Sequence, residues 1–124
     1  MKTLEIQIKS REQADAEFSR AFKAVQTGKK VAPSRGIYFT SLEAVRALLT
    51  DRRLAILHLV RKHSPKSINQ LAKIAGRNFK NVHADVMLLK NYGLIQMEKR
   101  GKTHSTLTKS ISVPYQAINI HAVV

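Results

Sequence analysis

The chain contains no cysteine. Disulfides, Cys-ligated zinc and a thiol nucleophile are therefore excluded, and nothing points to an oxidising compartment. Also absent are a Gly-rich phosphate loop, an HExxH metal-binding helix and a Gly-x-Ser-x-Gly elbow. The five histidines, at positions 58, 63, 83, 104 and 121, form no i,i+4 pair. His58 and His63 fall on different faces of one helix, so no shared metal site is expected. A non-enzyme with neither metal nor cofactor follows. No window approaches the roughly 20 apolar residues of a membrane span. The opening residues MKTLEIQIKSRE interrupt their apolar stretch with charge and do not read as a signal peptide. A cytoplasmic location is the expectation.

Acidic residues are scarce too. In 124 residues, 8 Asp+Glu stand against 22 Lys+Arg, a formal net charge of +14, while the hydrophobic share is 44%. That share supports a packed core, and the length suits one compact domain with an appendage. The charge is uneven. Residues 1–51 hold nine basic and six acidic side chains, whereas residues 52–124 hold thirteen basic against only Asp85 and Glu98. So lopsided a half repels itself when compact unless an anion neutralises it, and a merely solubilising surface usually mixes both signs. A polyanion is implied as partner, nucleic acid first.

Residues 3–8 alternate Leu4, Ile6 and Ile8 with Thr3, Glu5 and Gln7, the period of a half-buried strand. Ala14, Phe18, Ala21, Phe22 and Val25 then recur at helical spacing, predicting a helix to Gln26 with one apolar stripe to bury. Thr27-Gly28 stops it, residues 29–36 read as a loop, and Ile37 to Phe39 suits a short strand. Thr40-Ser41-Leu42-Glu43 has the form of a capping box, with the Thr40 hydroxyl and Glu43 carboxylate on free helix-end donors, ahead of a short helix to Leu49. Thr50-Asp51 opens the next helix, whose Leu54, Ile56, Leu57, Leu59 and Val60 make a broad apolar face before Ser64-Pro65. Ser67-Ile68-Asn69-Gln70 again has the capping-box form, and Gly76 stops the helix it opens. Asn78 can cap a further helix running to Asn91. Beyond Gly93 the period turns strand-like over residues 94–99 and 106–113, with a basic tip between them. Residues 117–124 suit a last strand with Ile118 and Ile120 on one face. The fold class expected is mainly α with a small β component (α+β). It divides into an N-terminal strand-helix extension (1–36), a helical domain ending in a hairpin (37–113) and a C-terminal strand or tail (114–124).

Two helices joined by a short glycine-containing turn are the core of a helix-turn-helix, whose second helix fits the DNA major groove. If Phe79, Val82, Val86 and Leu89 face the core, about 100° per residue places Arg77, Lys80, Asn81 and Ala84 opposite, with His83 at the margin. Arg pairs bidentately with guanine, Asn with adenine, and Lys meets phosphate or guanine, although a solvated helix face collects the same residue types. Ser67, Asn69 and Gln70 are candidate phosphate donors at the start of the preceding helix, and Ser67 serves equally as a plain cap. Asp85 would be repelled by DNA and is expected to pair internally, with Lys73 or Arg53. Met87 and Leu88 put apolar groups on an outer position, either as a partner surface or under the N-terminal segment.

The runs LTDRRLAILHLV (49–60), SINQLAKIAGRNFKNVHADVMLLKNYGLI (67–95) and MEKRGKT (97–103) carry a resemblance covering residues 40–113. This stretch resembles the winged helix-turn-helix transcription regulators of bacteria and archaea, the kind that includes the MarR and ArsR groups. The resemblance implies sequence-specific binding to double-stranded DNA and repression at an operator, with Arg77, Lys80, Asn81, His83 and Ala84 reading bases. It makes the hairpin a wing whose tip, Lys99, Arg100, Lys102 and His104, meets the backbone or minor groove; a Gly-Lys turn is also ordinary surface chemistry. In related regulators, elements outside the helix-turn-helix form the dimer, and two-fold operators suit two-fold proteins. A homodimer built from the first strand and helix is therefore expected, through Phe18, Phe22 and Val25, with residues 117–124 as a further contributor. The alternative is that this helix packs on its own winged domain. Residues 1–36 resemble the extension of a prokaryotic group of DNA-binding regulators, some of them antitoxin-like. Two other functions stay open: an antitoxin that grips a toxin through its N-terminal half, and a non-specific RNA-binding or architectural winged helix.

Overall fold

The structure, a computed structural model, describes residues 2–28, 36–99 and 109–124. Its elements run β1 (Thr3–Ile8), α1 (Arg11–Gln26), β2 (Gly36–Phe39), α2 (Leu42–Leu48), α3 (Asp51–His63), α4 (Ile68–Ala75), α5 (Phe79–Asn91), β3 (Gln96–Lys99), β4 (Lys109–Ser112) and β5 (Ala117–Ala122). They group into two compact units: Ala47–Gln116, with Lys2, and Thr3–Arg46 with Ala117–Val124.

In the first unit three helices share one core. Ile56, Leu57 and Val60 come from α3, Leu71 and Ala72 from α4, and Val82, Val86 and Leu89 from α5; Leu94, Ile95 and Ile111 complete it. Each large aliphatic side chain buried here stabilises the fold by roughly 1.5–3 kcal/mol, against about 1 kcal/mol for a helix cap. Packing therefore holds the helices, and the caps set where they begin. The hydroxyls of Thr50 and Ser67 and the Asn78 carboxamide accept from the backbone N–H groups of Arg53, Gln70 and Lys80. Gly76, at φ 65°, ends α4 in the left-handed region, where a side chain costs energy, so the turn into α5 is short. Strands β3 and β4 pair antiparallel from Gln96↔Ser112 to Lys99↔Lys109. The Ile111 N–H donates to the Pro65 carbonyl at 3.3 Å. Arg61 Nη1 donates to the carbonyls of Val113 (3.1 Å) and Tyr115 (2.9 Å), fixing the far end of the hairpin to α3. Helix, helix, glycine turn, helix and hairpin in this order make a winged helix-turn-helix.

Two apolar positions depart from the helical periodicity. Leu54 is 43% exposed, and Phe79, expected in the core, is 41% exposed. Phe79 is the first residue of α5, and its ring lies 5.7 Å from that of His83 one turn on.

The second unit is a three-stranded sheet in the order β2-β1-β5. All pairs are parallel: β1 runs beside β2 from Glu5↔Gly36 to Ile8↔Phe39, and beside β5 from Thr3↔Ala117 to Ile8↔Ala122. The backbone of β1 is thus paired on both sides within its own chain. It has no free edge at which a second chain could add a strand. The segment 37–46, assigned by the sequence to the domain that follows it, groups with this sheet through β2. At Gly36 a Cβ would stand 2.5 Å from the Glu5 carbonyl oxygen, so the close β1–β2 approach requires glycine. Helix α2 is capped one residue later than the sequence suggests: the Ser41 hydroxyl, not that of Thr40, accepts from the Ala44 N–H at 3.1 Å.

Alternation along β1 sends Leu4 and Ile6 to one face, where both are buried, and Gln7 and, just past the strand, Lys9 to the other, with Lys9 also buried. The Lys9 ammonium pairs with Glu17 of α1, donates to Gln7 Oε1 at 2.8 Å, and lies 5.4 Å from the Tyr38 ring centroid. Helix α1 is therefore tied to β1 by an ion pair. Ala14, Ala21 and Ala24 are half-buried, and no residue of α1 is fully buried. The apolar stripe expected to be covered is open: Phe18, Phe22 and Val25 are 72%, 56% and 64% exposed.

Candidate nucleic-acid interface

Helix α5 is divided by burial. Val82, Val86 and Leu89 are fully buried on one side. Every other residue from Phe79 to Ala84 is exposed, so Lys80, Asn81, His83 and Ala84 stand open to solvent on the helix's first two turns. These are the turns that enter the groove when a recognition helix docks on a duplex. Phe79 beside His83 adds an exposed aromatic pair to this end. The sequence pattern missed it because position 79 obeys the core periodicity.

Arg77 does not join them. Its Nη2 donates to Asp85 Oδ2 at 3.0 Å, while Arg53 Nε donates to Asp85 Oδ1 at 3.1 Å. The three side chains are 13–23% exposed. Arg53 Nη1 also donates to the carbonyls of Ala47 (2.6 Å) and Leu48 (3.2 Å) at the end of α2. One carboxylate thus joins α3, the glycine turn and α5. The internal pairing expected for Asp85 is met by Arg53, with Arg77 in place of Lys73. Arg77, expected among the base readers, has its guanidinium bound to the protein in this structure, with Nη1 buried and without a hydrogen-bond partner among the described residues. Neutralising Asp85 twice also removes the one acid of α5 from the electrostatics of its open face.

At the start of α4, the Ser67 hydroxyl is occupied as a cap by the Gln70 N–H (3.0 Å), and Gln70 Oε1 accepts from the Lys66 N–H (2.8 Å). The Asn69 side chain is exposed. Met87 and Leu88 are half-buried rather than open, which leaves no exposed apolar pair on α5 beyond its first turn. Of the wing, the paired stem is described; Arg100, Lys102 and His104, and the side chain of Lys99, lie outside the described residues. Phe18, Phe22 and Val25 belong to the other unit. Among the described residues no group of three His, Asp or Glu side chains could hold a metal ion, and no helix is long and apolar enough to cross a membrane.

Comparison with known proteins gives a family and solved structures similar to part of this chain. The crystal structure of residues 1–100 of a possible transcriptional regulatory protein from Mycobacterium bovis is 25% identical over 56% of this chain and 68% of that one, with a TM-score of 0.44. The solution structure of the homodimeric winged helix-turn-helix DNA-binding domain of a possible ArsR-family transcriptional regulator, also from Mycobacterium bovis, is 22% identical. It covers 67% of this chain and 75% of that one, with a TM-score of 0.45. No curated protein matches. The family model described as HVO_A0114 matches residues 48–120, more than half the chain and nearly all of the winged unit. The chain belongs to the HVO_A0114 family.

Proposed function

We propose that this protein is a sequence-specific, duplex-DNA-binding transcriptional regulator that acts as a repressor by occupying an operator. The observation that carries the reading is the open first half of α5. Lys80, Asn81, His83 and Ala84 are exposed there, on a helix whose opposite side is anchored by fully buried Val82, Val86 and Leu89. Asn81 pairs with adenine through its carboxamide, Lys80 meets guanine or phosphate, and Ala84 leaves room for a thymine methyl. Asn69 of α4 and the wing residues Lys99, Arg100, Lys102 and His104 supply backbone contacts that set the register. The thirteen basic side chains against two acids in residues 52–124 provide the attraction on which such reading depends.

Fluorescence anisotropy tests this on a duplex from the protein's own upstream region and on a scrambled duplex, each at low and at physiological salt. Binding that persists at physiological salt on the first duplex alone is the expected result. Equal binding to both that disappears together as salt rises would overturn sequence reading and leave the non-specific, architectural function.

A further inference from the structure

Phe79 has the spacing of a core residue, yet it is 41% exposed. Around α5 it stands about 20° from Val86 and about 60° from Val82, both of which are fully buried. Its place along the helix explains the difference. Each Cα–Cβ bond leans toward the helix N-terminus, so a ring on the first residue of α5 leans off the end of the helix, ahead of the turn that packs. Its neighbour is the exposed His83 one turn on, with the two rings 5.7 Å apart and 35° from parallel. This pair stands at one flank of the open face. Asp85, which holds Arg53 and Arg77, stands about 120° round from Phe79 at the other.

The surroundings of the ring restrict what can cover it. Asn78 and Lys80 flank it in the chain, and Asn81 follows, so a single apolar group sits among cationic and amide side chains rather than in an apolar patch. The Asn78 carboxamide is already occupied as the helix cap, accepting from the Lys80 N–H at 2.7 Å. A complementary surface must be anionic and offer one small apolar group. The major groove of a duplex has that composition: among phosphates and hydrogen-bonding base edges, its apolar feature is the C5-methyl of thymine. Ala84 lies about 140° round from Phe79 and faces a different part of the groove. We infer that Phe79 is a specificity-determining residue of this site: its ring packs on the C5-methyl of a thymine, with the His83 ring limiting where it can lie. The inference rests on the DNA reading proposed above and adds to it the chemical group that one position recognises.

Deoxyuridine pairs with adenine as thymidine does and lacks only that methyl, so it isolates the contact. The full chain selects a duplex from a random pool, and the thymines of that duplex are then replaced by deoxyuridine one at a time. Affinity is read by fluorescence anisotropy at physiological salt. Replacement at one thymine is expected to weaken binding by the parent chain roughly fourfold, the worth of one buried methyl group. Phe79→Ala is expected to bind the thymine and deoxyuridine forms of that position equally. Each protein is compared with itself on two duplexes that differ by one methyl, so a general loss of affinity or stability cancels from the ratio. A pool that yields no preferred sequence overturns the DNA reading and this inference with it. A preferred sequence in which no thymine methyl matters, or in which the methyl matters equally to Phe79→Ala, overturns this inference alone.

Discussion

Asp85 accepts from two arginines that would otherwise compete for the same anions as the open face of α5. At the residue scale this separates cations that hold the helix from groups free to read a base. Asp85→Ala leaves Arg53 and Arg77 partly buried without their shared counter-charge, which is costlier than the pair itself was stabilising. A loss of about 2–3 kcal/mol in urea-unfolding stability is expected, less than for a fully buried pair because all three groups retain some exposure. Arg77→Ala should likewise lower stability while leaving the order of preferred duplexes unchanged. Asn81→Ala should do the reverse, with an unfolding midpoint near that of the parent and a loss of roughly 1–3 kcal/mol at one base position. Duplex binding profiled alongside urea unfolding checks all three. A shift in base preference for Arg77→Ala with unaltered stability would return that residue to the reading face.

Elements differ in how far local pattern determines them. The α3–α4–α5 succession was legible because each helix has its own start signal, in Thr50, Ser67 and Asn78, and its own apolar spacing, and because Gly76 and Gly93 have only one conformational use at those points. The sheet was legible strand by strand but not as a sheet. Period-two alternation marks 3–8 as a strand, yet its partner β5 lies across the whole winged unit, as the Asn119–Glu5 hydrogen bond of 3.1 Å between residues 114 apart makes plain. The stripe on α1 had the right period, but periodicity reports which residues share a face and not what lies against it. The candidate site follows the same division. Lys80, Asn81, His83 and Ala84 could be placed by counting around a helix, whereas the position of Arg77 depended on how Asp85 satisfies its charge. Gly36 belongs to this scale as well. Nothing near it in the sequence distinguishes it from a loop glycine, but its Cα faces the Glu5 carbonyl across the β1–β2 ladder. Gly36→Ala should strain that pair and cost about 1–3 kcal/mol, the range for overpacking a close contact. Thermal unfolding of the full chain measures it, and an unchanged midpoint would mean that β2 can move away without loss.

For the whole molecule, charge and symmetry set separate observables. Charge governs how affinity falls with salt: each phosphate neutralised on duplex DNA contributes about −0.9 to the slope of log affinity against log salt. Lys102→Ala should therefore weaken binding to every duplex alike and reduce the slope by about one, with no change in sequence preference. Symmetry governs the form of the site, because a two-fold homodimer of the kind expected through Phe18, Phe22 and Val25 places two recognition helices in opposite senses and its operator mirrors that relation. Selection of bound duplexes from a random pool should then enrich inverted repeats for the parent chain. With Phe22→Glu it should enrich one half of the same repeat, held with about half the salt slope, since only one set of phosphate contacts remains. The two variants separate the terms, Lys102→Ala altering slope at constant site symmetry and Phe22→Glu altering both together. If Phe22→Glu still selects the full inverted repeat at the parent's slope, the two-fold relation on DNA is made by something other than α1.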